Sequence, residues 1–466
     1  MNWTKRFALL ALCANATLAG ASEYRVETFP PICDAIEDEA NYDTEFLRKH
    51  WKILQGEQQW LANTSMDFPS YEEVATPFAL QELNRLRKVL EAYGTELMVV
   101  YLPARGLTYP DELSANSIDY DVKTAKRNYL DALDSIRDQG VVVPTLNQLF
   151  SIDSDQPLFY EKDIHWSIEG AKATAQIVAT EIDKLGLADL TSAPKYETSY
   201  NGMMRDVANV EQAIAQICDS SYAPTYSPTY VTTEVLSESD DDAFALFDDV
   251  SDEIVLLGTS FSALSKFNFN GYIQEYVNAP VANYALSGGG LIGSWVNYLK
   301  SGDFNYSPPK LIIWEVPGWR DFEPRFFHSF MPLFFDSCDE GSAVMTSKRL
   351  SVTTRKVQNA LFDAQGTNAP AKNLMVELQF DSPHVDTVQV RVWFANGASR
   401  TYNMRHQYRT ANDGRFLTTL GNDHNYPDEP VVGVDIESIK YFASGGEQPS
   451  SNVSLSLCPN PIPYSD

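Results

Sequence analysis

Between residue 22 and about Pro332, short apolar runs alternate with stretches of helical pattern. Leu97–Leu102, Val141–Val143, Ile254–Leu257 and Leu311–Trp314 are continuously apolar, as strands buried on both faces must be. Around them, helices are expected from Pro77 to Tyr93, Asp121 to Asp138 and Ser167 to Leu185, the last stopped by Gly186. Strands and helices in alternation predict an α/β domain with a mostly parallel sheet covered on both faces. Ligands of such sheets bind beyond the carboxyl ends of the strands.

From about Asp336 the texture changes to alternation. Met375–Phe380, Val388–Phe394 and Val431–Ile436 are separated by turn signals such as Asn396-Gly397 and Asp413-Gly414, which predicts a small antiparallel β-sandwich. The expected division is 22–335 for the α/β domain and 336–466 for the all-β sandwich. Glu234–Glu253 is acidic, carries no cation and reads as a solvated connection running into a strand.

The first residues set the compartment. Lys5 and Arg6 precede an apolar run from Phe7 to Leu18, and Ala19-Gly20-Ala21 follows as a cleavage signal. Residues 1–21 therefore read as a secretory signal peptide, too short to span a bilayer, so no stable membrane insertion is expected. Once Cys13 leaves with the signal, Cys33, Cys218, Cys338 and Cys458 remain, an even set suited to an oxidising compartment. Three pairings exist. Sequence order suggests Cys33 with Cys218 and Cys338 with Cys458, which closes one bridge in each half. The formal net charge of −28 disfavours nucleic acid and anionic membrane as partners.

Two short motifs can carry chemistry. Leu256-Leu257-Gly258-Thr259-Ser260 places a serine just past an apolar strand, where a nucleophile protrudes from the sheet and the N–H groups of the following turn can serve an oxyanion. The bland reading is a turn with a capping serine. Lys162-Asp163-Ile164-His165-Trp166 opens a helix, and residues at i and i+2 of an extended segment share a face. Asp163 can then accept from His165 Nδ1 and leave Nε2 for a nucleophile; alternatively Asp163 caps the helix and His165 is a half-buried polar residue. Of the six histidines only His165 has a carboxylate at this offset beside a helix start. No second histidine lies near it and no Cys-x-x-Cys spacing exists, so no metal site is expected. Ser260, His165 and Asp163 together supply nucleophile, base and orienting carboxylate.

These motifs, with Pro103-Ala104-Arg105-Gly106 after an early strand and Trp314-Glu315-Val316-Pro317 after a late one, resemble the SGNH-like alginate O-acetyltransferases, including members that end in a β-sandwich carbohydrate-binding module. The order Asp-x-His before Ser resembles the permuted branch of SGNH folds. The resemblance implies a three-layer domain, Ser260 as nucleophile, His165 as general base and Asp163 as its orienter. It implies Asn268 and Gly288 as oxyanion-side or positioning residues, and Arg105 and Arg320 as cations meeting uronate carboxylates. It further implies acetylation of an exported polyuronate, alginate above all, from a protein or small-molecule acetyl donor, in the periplasm beside export-complex proteins and without a cofactor. Within the sandwich, Arg391 and Trp393 share a strand face, with Arg400 after the following turn, and could hold a sugar ring and its carboxylate; equally, Trp393 could be core. Two other functions fit the same residues: a carbohydrate acetylesterase or deacetylase, and a non-catalytic polysaccharide-binding scaffold of an export complex.

Overall fold

The structure, a computed structural model, describes residues 32–466 apart from 153, 155, 187–194, 207, 220–224, 236–252, 336–337, 339–342, 348, 354–355, 408, 422–424, 443–449, 463 and 465–466. The signal segment 1–21 and most of the acidic stretch lie outside these residues. The strands of the first part are β1 (Ile53–Gln55), β2 (Leu61–Asn63), β3 (Glu96–Tyr101), β4 (Lys195–Asp206), β5 (Thr225–Val235), β6 (Ile254–Leu257), β7 (Ala282–Asn283) and β8 (Leu311–Val316).

The central sheet has the order β3-β8-β6-β7 and every pairing in it is parallel. β3, β6 and β8 are apolar on both faces, apart from Glu96 at the start of β3 and Glu315 in β8, because helices cover both faces. Leu97, Val99, Tyr101, Val255, Leu257, Ile312, Trp314 and Val316 join one core, with the helices Pro77–Ala92, Val122–Arg137 and Gly293–Ser301. Their alternate neighbours Met98, Val100, Ile254, Leu256, Leu311 and Ile313 join the other, under Ile168–Lys184 and Phe269–Val277. This is a three-layer α/β domain. The helices end where their capping residues stand: Asp121 accepts from Thr124 N at 3.0 Å and Ser167 from Gly170 N at 3.1 Å. Val141–Val143 forms only a bridge, Val142 to Met98, because Pro144 follows and offers no N–H to extend the ladder.

The second part contains β9 (Met345–Thr346), β10 (Leu350–Val352), β11 (Val357–Phe362), β12 (Leu374–Phe380), β13 (Val385–Phe394), β14 (Ser399–Arg405), β15 (Arg415–Thr419), β16 (Val431–Tyr441) and β17 (Ser451–Pro459). They form two antiparallel sheets, β10-β17-β12-β15 with β9 on β17, and β11-β16-β13-β14. Inward residues of both, among them Val376, Leu378, Val390, Val392, Ile436 and Leu455, pack into one sandwich core.

Cys33 is bonded to Cys218 and Cys338 to Cys458, with Cα separations of 5.8 and 6.1 Å. The sandwich is not a loose appendage. Leu417 and Ile462 belong to the core on the β3 side of the α/β domain. Tyr464 Oη donates to Glu82 Oε1 at 2.6 Å and lies 2.9 Å from His328 Nε2, while Arg85 bonds Glu82 at 2.6 Å and the carbonyl of Ile462. All four side chains are buried. Among the described residues no helix is long and apolar enough to cross a membrane.

Candidate active site

Chain direction sends the ends of β3, β6 and β8 to one edge of the sheet, and the turn after β6 places Ser260 there. Thr259 caps the short helix Ser260–Ala263, its hydroxyl accepting from Phe261 N at 3.4 Å. Gly258 is required, since a Cβ there would stand 2.6 Å from Glu315 Oε2 on the neighbouring strand. Ser260 is half-buried between buried neighbours, so its hydroxyl is held yet reachable.

Asp163 and His165 arrive from the loop before Ile168–Lys184. Tyr160 N donates to His165 O at 3.1 Å, Ser167 N to Leu158 O at 2.9 Å and Ser167 Oγ to Pro157 O at 2.6 Å, which folds residues 157–167 back on themselves. Trp166 is buried against Phe261, Phe267 and Phe269. The His165 ring lies 4.7 Å from Phe261 and 5.5 Å from Phe267. Within this frame His165 Nδ1 stands 2.7 Å from Asp163 Oδ1, and Nε2 stands 2.7 Å from Ser260 Oγ. Asp163 also accepts from the backbone N–H of His165 at 3.4 Å. The capping serine Ser167 leaves Asp163 free for this pairing, so the alternative of Asp163 as the helix cap does not hold.

Burial pushes the Asp163 carboxyl up, but the charge and hydrogen bond of His165, aided by Lys266 and Arg105, outweigh it and hold the group below the usual carboxylate range. An ionised Asp163 fixes the tautomer with the proton on Nδ1, and Nε2 can then accept a proton from Ser260. The chain of three groups can thus activate a hydroxyl and return its proton.

The other expected residues fall in different places. Arg105 does not meet solvent: it is 1% exposed and every guanidinium nitrogen is engaged. Its Nε donates to Asp67 Oδ1 at 2.8 Å, Nη1 to Tyr160 O at 2.8 Å, and Nη2 to Leu61 O at 2.7 Å and to Asp67. A substrate-facing role for Arg105 is therefore corrected to a structural one, because an arginine so saturated has no donor left for a uronate. Arg320 is exposed, one residue past Trp319, whose ring lies 5.7 Å from Phe261. Gly288 is exposed in the turn after β7 with φ of 77°, and the carbonyl beside it, Ser287 O, accepts from Arg409 of the sandwich at 3.2 Å. Asn268, at φ of 50°, donates from Nδ2 to Thr232 Oγ1 of β5 at 2.9 Å, so it ties the serine loop to the β4–β5 hairpin.

In the sandwich, Arg391 and Trp393 lie on the outward face of β13, opposite the core residues Val390, Val392 and Phe394. Trp393 is half-buried rather than core, its Nε1 donating to Asp435 Oδ2 at 3.0 Å, and the Arg391 guanidinium lies 5.8 Å from its ring. Arg391 is paired with Glu437 at 2.6 Å. Arg400 does not join them. It stands opposite Val392 in the β13–β14 register, and directly paired residues share a face, so Arg400 is on the inner side of the edge strand beside Tyr402.

Two features had no role in the sequence reading. Glu315 is fully buried beneath the serine turn, where its carboxylate accepts from Thr259 and Ser262; a carboxylate inside the apolar run Leu311–Val316 was the available signal. The β4–β5 hairpin and the loop after Ser260 enclose a cavity of about 450 Å³ lined by Met204, Thr232, Lys266, Asn268 and Asn283 among others. Among the described residues no cluster of three or more His, Cys, Asp or Glu is placed to hold a metal.

Residues 53–318 match the model of the SGNH hydrolase-like domain of acetyltransferase AlgX, and residues 337–463 that of a C-terminal carbohydrate-binding module. The chain is 32% identical to the alginate biosynthesis protein AlgX of Pseudomonas syringae pv. tomato, over 92% of this chain and 90% of the relative. Identity to AlgX of Pseudomonas aeruginosa is 28%, over 98% and 96%. The "Probable alginate O-acetylase AlgJ" of Pseudomonas fluorescens is 29% identical over 57% of this chain and 67% of its own. The solved structure of P. aeruginosa AlgX superposes with a TM-score of 0.76 at 26% identity, covering 92% of this chain and 99% of that one.

Proposed function

The chain belongs to the family of the SGNH hydrolase-like acetyltransferase AlgX, and on that footing we propose that it transfers acetyl groups to hydroxyls of an exported polyuronate, alginate, through an acetyl-serine. The observation that carries this reading is the unbroken relay from Ser260 Oγ through His165 to Asp163, each link 2.7 Å. His165 Nε2 takes the proton as Ser260 Oγ attacks the acetyl carbonyl of a donor ester or thioester. The oxyanion of the tetrahedral intermediate is stabilised by backbone N–H groups at the Ser260 turn, a role to which Gly288 is also assigned. Collapse breaks the bond to the leaving oxygen or sulfur, which His165 protonates, and leaves acetyl-Ser260. A sugar hydroxyl then gives its proton to His165 and takes the acetyl group, restoring the serine.

The names of the relatives support alginate as the acceptor, and the carbohydrate-binding module supports a polymer held near the site. Trp393 with Arg391 is the place in the sandwich suited to a uronate, and Arg320 the cation at the mouth of the α/β site. The signal-like segment and the two disulfides support a periplasmic location, where export proteins are at hand. Intact-protein mass spectrometry on samples quenched during turnover with a chromogenic acetyl ester and polymannuronate oligomers tests the reading. An acetyl adduct mapping to Ser260 and acetylated oligomers are expected, with both lost in Ser260→Ala and slowed by orders of magnitude in His165→Ala. Full transfer in Ser260→Ala would remove the mechanism.

A further inference from the structure

The carboxylate of Glu315 lies directly behind the nucleophile turn, and nothing in the reaction just described uses it. By alternation along β8 its side chain shares the sheet face of Ile313, next to Gly258 just past β6. Oε2 accepts from Thr259 N at 2.7 Å, from Thr259 Oγ1 at 3.1 Å and from Ser262 Oγ at 3.1 Å. These donors bracket Ser260 in sequence. The side chain is fully buried, and among the described residues no lysine or arginine pairs with it. A buried carboxylate without a cation is costly, so a merely structural post would be served more cheaply by an apolar residue.

We propose that Glu315 is a positioning residue of the site: its buried carboxylate fixes the Gly258–Ser262 turn so that Ser260 Oγ is aimed at His165, and its negative charge favours the imidazolium that forms when Ser260 is deprotonated. The proposal rests on the serine mechanism above. Three observations support it. Gly258 is the residue that leaves room for the carboxylate, since any Cβ would displace it. All three of its donors belong to the turn, two on Thr259 before the nucleophile and one on Ser262 after it. His165 stands on the other side of the serine, its Nε2 2.7 Å from Ser260 Oγ. Burial raises the Glu315 carboxyl to about 7, against the opposing effects of the Thr259 and Ser262 hydrogen bonds and of His165.

The test uses the full chain and a chromogenic acetyl ester. Glu315→Gln keeps the shape and can satisfy the same partners, with its oxygen facing Thr259 N and its amide facing a hydroxyl, while the charge is lost. Expected is a fall in kcat of roughly 10-fold with KM within about twofold, because the turn keeps its shape while the charge that favours the imidazolium is lost. In wild type, log(kcat/KM) should fall more steeply than first order on the acid side, because protonation of either group impairs the reaction. In Glu315→Gln the fall should be first order. Ser262→Ala covers the outcome in which Glu315→Gln does not fold: with one donor fewer the carboxyl titrates higher, so the acid limb moves to higher pH and kcat drops several-fold. Wild-type kcat and an unchanged acid limb in these variants would overturn the proposal. Failure of the serine mechanism reads out separately, as absence of the acetyl-Ser260 adduct in wild type.

Discussion

Arg105→Ala separates a structural cation from a substrate-binding one. In the structure Arg105 and Asp67 are 1% exposed each, and Arg105 also donates to the carbonyls of Leu61 and Tyr160. Truncation leaves the buried Asp67 with, among the described residues, only the Asn63 N–H at 2.6 Å, a loss that in comparable buried pairs amounts to about 3–5 kcal/mol. The Tyr160 carbonyl lies three residues before Asp163, so the loop carrying Asp163 and His165 loses an anchor too. Urea unfolding followed by tryptophan fluorescence should show a lower midpoint at nearly unchanged slope, and the folded fraction should turn over a small acetyl ester more slowly. Arg105→Met combined with Asp67→Leu should recover part of the stability, since removing both charges avoids the orphaned carboxylate. Stability within about 0.5 kcal/mol of wild type, with only polymer affinity reduced, would show that the guanidinium reaches substrate and that the buried-clamp argument is mistaken.

Trp393→Ala should weaken binding of polymannuronate oligomers roughly tenfold by calorimetry while small-ester turnover is unchanged, since a ring–sugar contact with a neighbouring cation is worth on the order of 1–2 kcal/mol; equal binding would discard this face as the sugar platform. Glu315 also gives a pH dependence of stability. Its carboxyl titrates near 4.5 when unfolded and near 7 when folded, so its contribution is full below 4.5 and is lost as pH rises through 7. The wild-type unfolding free energy, taken relative to Glu315→Gln, should therefore fall by about 3 kcal/mol between pH 4.5 and 8, and a flat difference refutes the burial argument.

The α/β layers were legible because their signals are local. Asp121 and Ser167 announce helix starts by their own side chains, and the runs at Leu97, Ile254 and Leu311 are apolar on both faces because both faces are covered. Asp163 and His165 are two residues apart, so their pairing follows from backbone periodicity, and the turn after β6 exposes Ser260 for a reason readable in Gly258-Thr259-Ser260. Arg105 was misread because what buries it is remote: Asp67 lies 38 positions away and Tyr160 55. Arg400 was misplaced because which side of an edge strand a residue takes depends on register across a turn. The β4–β5 hairpin gave no alternation to read, since it exposes Tyr200, Met203 and Tyr226 and shifts register between Tyr200 and Gly202.

Tyr464 and Ile462 bear on how the molecule is assembled. They reach Glu82 and Arg85 across sequence separations of 382 and 377 residues, and Ile462 completes a core that otherwise belongs to the α/β layers. Ile462 and Tyr464 are thus needed to finish the α/β half. Such long-range closure makes folding slow, because chain entropy must be lost before these contacts form. It also couples the two halves, so that neither settles fully before the other has docked. A chain truncated before Ile462 should hold Glu82, Arg85 and His328 without these partners and be cleaved faster by proteases.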